Sequence, residues 1–326
     1  MKAFVHEYGK MKLKNMEAPI AGPKDVIVQL RVAGLNRRDL YIPNRRGDEA
    51  SALIIGSDGA GVIESVGKEV STLKVGDEVI INPSLRWDEN CDAPPETFDI
   101  LGMPDHGTFA EKIALPAEQV EKKPEYISWE EAGVLALSAL TGYRALFTKG
   151  SVKKDDTVFI PGAGSGVATY LIQFAKNIGA KVIVTSRSEA KRLKAKELGA
   201  DIALDTNSDW EKELQDETID LVIESVGKAT FNRSLNILKK GGRIVVFGAT
   251  TEDVVDLDLR KFFYGQYQLF GSTMGSREEL REMLAHMDTY KTHPVVDRTY
   301  PMEDIHEAMD YLEENKQFGK IALRIK

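Results

Sequence analysis

The sequence predicts an α/β chain in two parts, a small twisted β-barrel and a doubly wound parallel sheet, and three observations predict it. Residues 158–187 read as strand, glycine-rich turn, helix and strand in succession. Strand-like runs then alternate with helical segments to about residue 274, the order of a parallel sheet covered by helices. Before about residue 125 the texture differs: short β-rich runs are separated by glycine turns without βαβ spacing, the pattern of a small barrel.

In the first part the strand-like runs are 26–32, 60–66 and 77–82, punctuated by Gly56, Gly59, Gly61, Gly67 and Gly76. Residues 87–106 are rich in Asp, Glu and Pro and lack periodicity, so they read as a long surface loop. Ser128 and Glu131 form a capping box ahead of a helical run over 132–146, since each side chain can satisfy the other residue's backbone N–H. Val158, Phe159 and Ile160 then form a buried strand. Val167, Leu171, Phe174 and Ile178 recur at helical spacing after the glycines. Further strands fall at 202–204, 219–223, 244–247 and 268–270. The tail returns to helix (278–286), strand (295–299) and helix (302–314), then a strand-like run at 318–323. That last strand can pair back onto the barrel, making the parallel-sheet part an insertion. The expected division is 1–125 with 279–326 against 126–278.

A glycine turn between strand and helix holds the pyrophosphate of a dinucleotide on a helix N-terminus. Gly162, Gly164, Ser165, Gly166 and Val167 make that turn, although Val167 falls where the fingerprint has its third glycine. The glycines alone would equally suit an ordinary loop; the flanking strand and helix favour the nucleotide. NAD-binding chains place a carboxylate about 20 residues further on, against the ribose 2′-hydroxyl. Ser186 and Arg187 stand there instead, with Lys191 one helical turn beyond. A carboxylate would repel a 2′-phosphate, whereas a guanidinium and a hydroxyl attract one at roughly 1.5–3 kcal/mol per charge-assisted bond. The expected cofactor is NADP(H).

Bulk properties narrow the function. The chain has 326 residues, 42% hydrophobic and 29% charged, with a formal net charge of −8. That balance excludes nucleic acid as a main partner, because phosphate binding needs concentrated Lys and Arg. No apolar run suits a membrane span, and the N-terminal residues lack an apolar signal core. A single cysteine, Cys91, excludes an internal disulfide and any Cys-rich metal site. A cytoplasmic location is expected.

Further motifs carry a family resemblance. They run in order along the chain: Gly34-Leu35-Asn36-Arg37-Arg38-Asp39, Gly56-Ser57-Asp58-Gly59-Ala60-Gly61, Val75-Gly76-Asp77-Glu78-Val79, Gly107-Thr108-Phe109-Ala110-Glu111, Leu140-Thr141-Gly142-Tyr143, Glu224-Ser225-Val226-Gly227, Gly241-Gly242-Arg243-Ile244-Val245 and Phe318-Gly319-Lys320. The chain resembles the medium-chain dehydrogenase/reductase superfamily, in its zinc-lacking quinone oxidoreductase form. The resemblance implies a GroES-like β-barrel catalytic domain, a Rossmann domain, a cleft between them, and a homodimer joined through the Rossmann sheets. Zinc-dependent alcohol dehydrogenases place a ligand Cys where Asn36 stands, His-Glu where Ser57-Asp58 stand, and a further Cys near Leu137. Three Cys, His or carboxylate ligands are needed for catalytic zinc, and four Cys would be needed in the loop 87–106. Neither set is present, so no metal is expected. The five histidines (His6, His106, His286, His293, His306) show no paired ligand spacing.

Without a Lewis acid, the substrates best served are quinones and α,β-unsaturated carbonyls, where charge spreads to a distant oxygen and hydrogen-bond donors suffice. The expected activity is NADPH-dependent reduction of such a small molecule. The resemblance places Asn36 and Tyr41 as donors, Thr141 beside the nicotinamide, and Gly248, Thr250 and Thr273 at cofactor-contacting strand ends. The other reading of Asn36 is a turn residue bonding its own backbone, but its place at the vacated ligand position favours the active site; Tyr41 reads equally as a proton donor or a packed aromatic. Arg37, Arg38, Arg45 and Arg46 form a basic patch, either solvated or meeting the 2′-phosphate or an acidic substrate. An alcohol dehydrogenase with a rebuilt metal site and a non-catalytic nucleotide-binding protein remain as alternatives.

Overall fold

The structure is a computed structural model that describes residues 1–325. The chain packs as two units, one of Met1–Ser138 together with the segment from Gly275 onward, the other of Ala139–Met274. Residues 126–138 and 275–278, which the sequence reading gave to the Rossmann part, belong with the first unit. The cause is local. The Tyr126 hydroxyl donates to the carbonyls of Met287 and Thr292 at 3.0 and 3.1 Å. The Arg277 amide donates to Trp87 O at 2.8 Å.

The first unit is built around strand Asp25–Gly34. Its side chains alternate, with Val26, Val28, Leu30 and Val32 buried, as a pleated strand over a core requires. It pairs antiparallel with Asp58–Val66, with Lys112–Pro116 and with Lys320–Arg324. Two register shifts in its pairing with Asp58–Val66 bend the sheet. Two apolar clusters fill it, one around Phe4, Leu35, Ile55, Phe109 and Ile305, the other around Val28, Leu30, Ile63, Val79 and Leu115. Strand Lys320–Arg324 also pairs parallel with Val296–Pro301, so the last strand does close onto this sheet and the second unit is an insertion. The stretch 87–106 is less of a surface loop than its composition suggests. Trp87 and Leu101 are buried, and short strands Ser84–Leu85 and Asp99–Ile100 pair across it. Sequence periodicity misses these because two apolar anchors do not make a period.

The second unit holds a six-stranded parallel sheet. Its spatial order is Ile202–Leu204, Lys181–Thr185, Thr157–Ile160, Ile219–Glu224, Leu238–Val246 and Gln268–Gly271. Counted from its first strand that order is 3-2-1-4-5-6, the Rossmann arrangement. The chain reverses direction across the sheet between Thr157–Ile160 and Ile219–Glu224, and crevices form at the carboxyl ends of strands at such a point. The helical run expected over 132–146 divides into Trp129–Gly133, Ala136–Tyr143 and a wider π-helical turn, Arg144–Lys149. The Ser128/Glu131 capping box is present as expected. No helix among the described residues is long and apolar enough to cross a membrane.

Candidate functional site

Two groups of residues carry chemistry, one in each unit. In the parallel-sheet unit the glycine turn follows Thr157–Ile160. Gly162 takes φ +82°, a region L side chains avoid. The amides of Gly162 and Ala163 both donate to Thr185 O, at 3.1 and 2.8 Å, tying the turn to the neighbouring strand. Helix Gly166–Asn177 starts at N-cap Ser165, whose Oγ accepts from the Ala168 amide at 3.1 Å. Ala168, Leu171, Ile172 and Phe174 bury its apolar face, leaving its N-terminus directed along the turn. A Cβ at Gly164 would lie 2.7 Å from Lys191 Cδ and 3.1 Å from Lys191 Nζ. Glycine there lets the Lys191 stem lie flat against the turn and brings its ammonium beside it.

The end of strand Lys181–Thr185 gives a fuller picture than its sequence. Ser186 is buried, its Oγ accepting from the Ser188 amide at 3.2 Å. Arg187 is exposed. An acid does come close by another route. Asp205, just past strand Ile202–Leu204, pairs with Arg192 Nη1 at 3.2 Å, and Arg192 also donates to Ser186 O at 2.7 Å. Arg192 thus pairs with Asp205, while Arg187 is exposed and the Lys191 stem lies against the turn. Sequence spacing missed this pair because Asp205 is distant in the chain. At the fourth strand, buried Glu224 accepts from the amides of Val226 and Gly227 and from Thr230 and Ser234 hydroxyls, fixing the loop 225–227. Thr250 donates its amide to Ser225 O at 3.2 Å beside Gly248, while its side chain and that of Thr273 are exposed. Thr141 is buried, with its hydroxyl 3.7 Å from Met274 Sδ; Val167 lies across from Gly142.

In the first unit the centre is a buried ionic cluster. Lys320 is 4% exposed and Asp58 fully buried. The Lys320 ammonium donates to Leu35 O at 2.8 Å, Asn36 Oδ1 at 2.5 Å and Asp58 Oδ2 at 3.1 Å. Those contacts match its three N–H bonds. Asn36 Nδ2 donates to Asp58 Oδ2 at 2.9 Å, and the Leu137 amide to Asp58 Oδ1 at 2.7 Å. A Cβ on Gly34 would meet Val134 Cα and Gly133 O at 2.8 Å; its absence lets the strand end approach this close. Asn36 therefore does more than satisfy its own backbone, yet its amide is engaged on both sides: Oδ1 by Lys320 and Nδ2 by Asp58. It holds the turn in place more than it offers a donor. Sequence reading missed Lys320 as a functional residue. The signal available in the sequence was a lysine directly ahead of the apolar run Ile321-Ala322-Leu323.

The turn Arg37–Leu40 begins at Asn36 and ends at Tyr41, which is 45% exposed. Of its four neighbouring arginines, Arg46 and Arg37 are tied elsewhere, while Arg45 is exposed and lies close enough to Arg38 to repel it. Arg46 is buried against Glu49, His6 O and Ser51. Arg37 reaches Asn315 Oδ1 at 2.7 Å. Arg38 is half-buried and donates through Nη1 to Ser57 Oγ at 2.6 Å and Leu101 O at 2.8 Å. Burial draws Arg38 below the usual guanidinium range, with Asp39 opposing. Asp39 is fully buried and accepts from the Asn36 amide at 2.8 Å. Burial pushes its carboxyl up to about 6, against the pull of Arg38.

Comparison with known proteins gives two family matches, the second running past Met274 into the first unit. The family described as "Alcohol dehydrogenase GroES-like domain" matches residues 22–125, and "Zinc-binding dehydrogenase" matches residues 166–289. A zinc-type alcohol dehydrogenase-like protein of Leptosphaeria maculans, YogA, is 32% identical over 343 residues, covering 98% of this chain and 95% of that one. The chain belongs to the medium-chain dehydrogenase/reductase superfamily. Among solved structures, an NAD-dependent alcohol dehydrogenase is 34% identical with TM-score 0.92, each chain covered in full. The crotonyl-CoA carboxylase/reductase AntE, in complex with NADP, is 26% identical with TM-score 0.88, covering 99% of this chain and 94% of that one. Superfamily membership makes the chain an oxidoreductase of α/β architecture, with GroES-like and Rossmann-like domains.

The zinc that this family name implies does not fit the residues present. Asn36 and Ser57 are poor ligands, Leu137 is none, and both oxygens of Asp58 are already engaged by Lys320, Asn36 and Leu137. Among the described residues, no group of three or more His, Cys, Asp or Glu side chains could hold a metal ion. A tethered ammonium is the compensating charge for Asp58 instead. Removing it should strand a buried carboxylate: Lys320→Met is expected to cost ~3–5 kcal/mol in urea unfolding, and adding Asp58→Leu should restore most of that. A single-variant cost below ~1 kcal/mol would contradict the pairing. Asp39 predicts a pH dependence. Because its folded pKa is raised, its contribution to stability is full below about pH 4 and lost as pH rises through about 6. Asp39→Asn, neutral throughout, should match the parent near pH 4 and exceed it near pH 7 by up to ~3 kcal/mol. An unchanging gap between the two unfolding curves would refute this.

Proposed function

We propose that this chain is an NADPH-dependent reductase that delivers hydride to the conjugated carbon of a quinone or α,β-unsaturated carbonyl, without a metal. The observation that carries the reading is the closed Asn36–Asp58–Lys320 cluster, which stands where the zinc-dependent relatives keep their ligands and has no donor left for an ion. Plain alcohols and aldehydes need a Lewis acid to polarise their oxygen. Conjugated acceptors move the charge to a distant oxygen, where hydrogen-bond donors suffice. The crotonyl-CoA reductase likeness fits, since crotonyl thioesters are conjugated acceptors.

NADPH supplies the hydride when bound. Gly162, Gly164, Ser165, Gly166 and Val167 would hold its pyrophosphate on the N-terminus of helix Gly166–Asn177. Arg187, with Ser186 and Lys191, would take the 2′-phosphate; Arg192 supports this by neutralising Asp205. Gly248, Thr250 and Thr273 would contact the cofactor from the later strand ends, and Thr141 would flank the nicotinamide. In the first unit Asn36 positions the turn, and Tyr41 offers a partly exposed hydroxyl to the acceptor.

We also propose a homodimer through the edge strand Gln268–Gly271. That strand is largely exposed and carries Leu269, 44% exposed, and the segment leading to it carries Val254, Leu259, Phe263 and Tyr264, exposed by 78%, 68%, 54% and 66%. Unpaired edges bearing apolar side chains invite a partner. A cytoplasmic setting suits a chain whose one cysteine, Cys91, is exposed.

The test is oxidation of NADPH and NADH by purified protein against quinones, enones, aldehydes and alcohols, with zinc content measured in the same preparation. Turnover of conjugated acceptors with NADPH and sub-stoichiometric zinc is the expected result; zinc at one per chain with alcohol oxidation would reverse the assignment. Replacing Ser186 by Asp and Arg187 by Ile should shift the NADPH-to-NADH ratio of kcat/KM by roughly one to two decades toward NADH. An unmoved ratio would remove the 2′-phosphate role. Sedimentation should give a dimer that Leu269→Lys with Phe263→Glu turns into a monomer; a monomeric parent would defeat the edge-strand proposal.

A further inference from the structure

Arg38 is a guanidinium with an unmet capacity. Only Nη1 is engaged, by Ser57 Oγ at 2.6 Å and Leu101 O at 2.8 Å. Among the described residues nothing accepts from its Nε or Nη2, and no carboxylate pairs with it. Charged groups withdrawn from water are ordinarily paired. Of the two acids nearest it, Asp58 is committed to Lys320, Asn36 and the Leu137 amide, while Asp39 gives Oδ2 to the Asn36 amide and its buried Oδ1 meets no hydrogen-bond donor, Arg38 included. Arg46, on the helix that follows, shows the ordinary solution, with Glu49, His6 and Ser51 filling its donors. Arg38 differs in being half-buried, clamped by one nitrogen, and left with two others on the same short turn that carries Asn36 and exposed Tyr41.

We infer that Arg38 receives the acceptor's oxygen as that oxygen becomes negative, an electrophilic arginine doing the work a metal does in the zinc-dependent relatives. The inference rests on the proposed reduction of a conjugated carbonyl and names the residue that drives it. In that reaction a C–H bond forms at the β-carbon with the electron pair of the hydride, and the nicotinamide is left oxidised. The C=C π pair shifts toward the carbonyl, whose oxygen becomes an enolate oxyanion facing Arg38 Nε and Nη2. Water then supplies the proton to the α-carbon and the oxyanion collapses back to the carbonyl. A guanidinium keeps its charge throughout and presents its N–H bonds in a fixed plane. The clamp on Nη1 by Ser57 and Leu101 O fixes that plane before the acceptor arrives, so little reorganisation is needed as charge develops.

The probe is 4-nitrophenol, whose coloured phenolate mimics a delocalised oxyanion. Titrated with pH in the presence of the full-length protein and NADP, it should ionise at lower pH when bound to the wild type than when free. Arg38→Gln should abolish that shift and lower kcat for a conjugated acceptor roughly 100-fold to 1,000-fold, the usual effect of removing one oxyanion donor, with NADPH binding unchanged. Arg38→Lys should recover part of both, since it restores charge without the fork. A wild type that leaves the nitrophenol midpoint unmoved overturns the inference, and does so even if Arg38→Gln fails to fold. So does an Arg38→Gln enzyme that folds and retains its turnover, an outcome that leaves the reductase reading intact. Anion binding through Arg38 in a wild type that reduces no conjugated acceptor would support the oxyanion site while removing the proposed reaction.

Discussion

The Lys320 ammonium is the constraint from which the first unit's chemistry follows. A buried ammonium needs acceptors for its N–H bonds, and Lys320 finds them in Leu35 O, Asn36 Oδ1 and Asp58 Oδ2. Donor and acceptors come from three strands. Leu35 and Asn36 follow strand Asp25–Gly34, Asp58 opens strand Asp58–Val66, and Lys320 opens strand Lys320–Arg324. Strand register therefore sets where Asn36 sits. Because a slip of one residue would turn Lys320 to the opposite face, the ionic contact and the sheet pairing enforce each other. The turn Arg37–Leu40 inherits its position from that agreement.

Replacing an ion with side-chain cations changes what chemistry is within reach. A divalent metal concentrates charge on one atom and coordinates a neutral carbonyl directly. An ammonium sealed by three acceptors has no such capacity left and serves as scaffold. A guanidinium is larger, delocalised and weakly electrophilic toward a neutral oxygen, and it gains most once the oxygen already carries charge. Acceptors that form stable enolates or hydroquinone anions meet that requirement; simple alcohols do not. The acidic member of the turn, Asp39, tempers the local field, since it is itself held mostly by burial and one amide.

Much of the fold was legible in the sequence because it depends on local signals. The strand–turn–helix at 158–178, the Ser128/Glu131 box and the alternating strands beyond it obey short-range rules of period and capping, and a doubly wound parallel sheet follows from them, though its strand order does not. The closing of the last strand onto the first sheet was readable from an apolar run alone. The domain edges were less legible, because Tyr126 and Arg277 are fastened by a few long-range hydrogen bonds that leave no periodic trace. At the site, Asn36 was found by its place among the motifs, but its partners were not: Lys320 lies 284 positions away and Arg192–Asp205 spans two strands. Electrostatic pairing across a fold has no sequence spacing. Arg38 was seen only as one of four neighbouring cations, since charge in a sequence carries no record of which nitrogen is occupied.

The insertion has a consequence for biosynthesis. Ala139–Met274 contains every strand of its own sheet in one continuous stretch, so it can collapse as soon as that stretch leaves the ribosome. The surrounding sheet cannot do the same, because Asp25–Gly34 waits nearly three hundred residues for Lys320–Arg324. During that interval Asp58 lacks its counter-charge and the Val32–Gly34 end of the strand lies open along one side. Nascent chains of this protein thus pass through a half-finished state in which the earliest-made portion is the last to close, the stage at which a chaperone has most to protect.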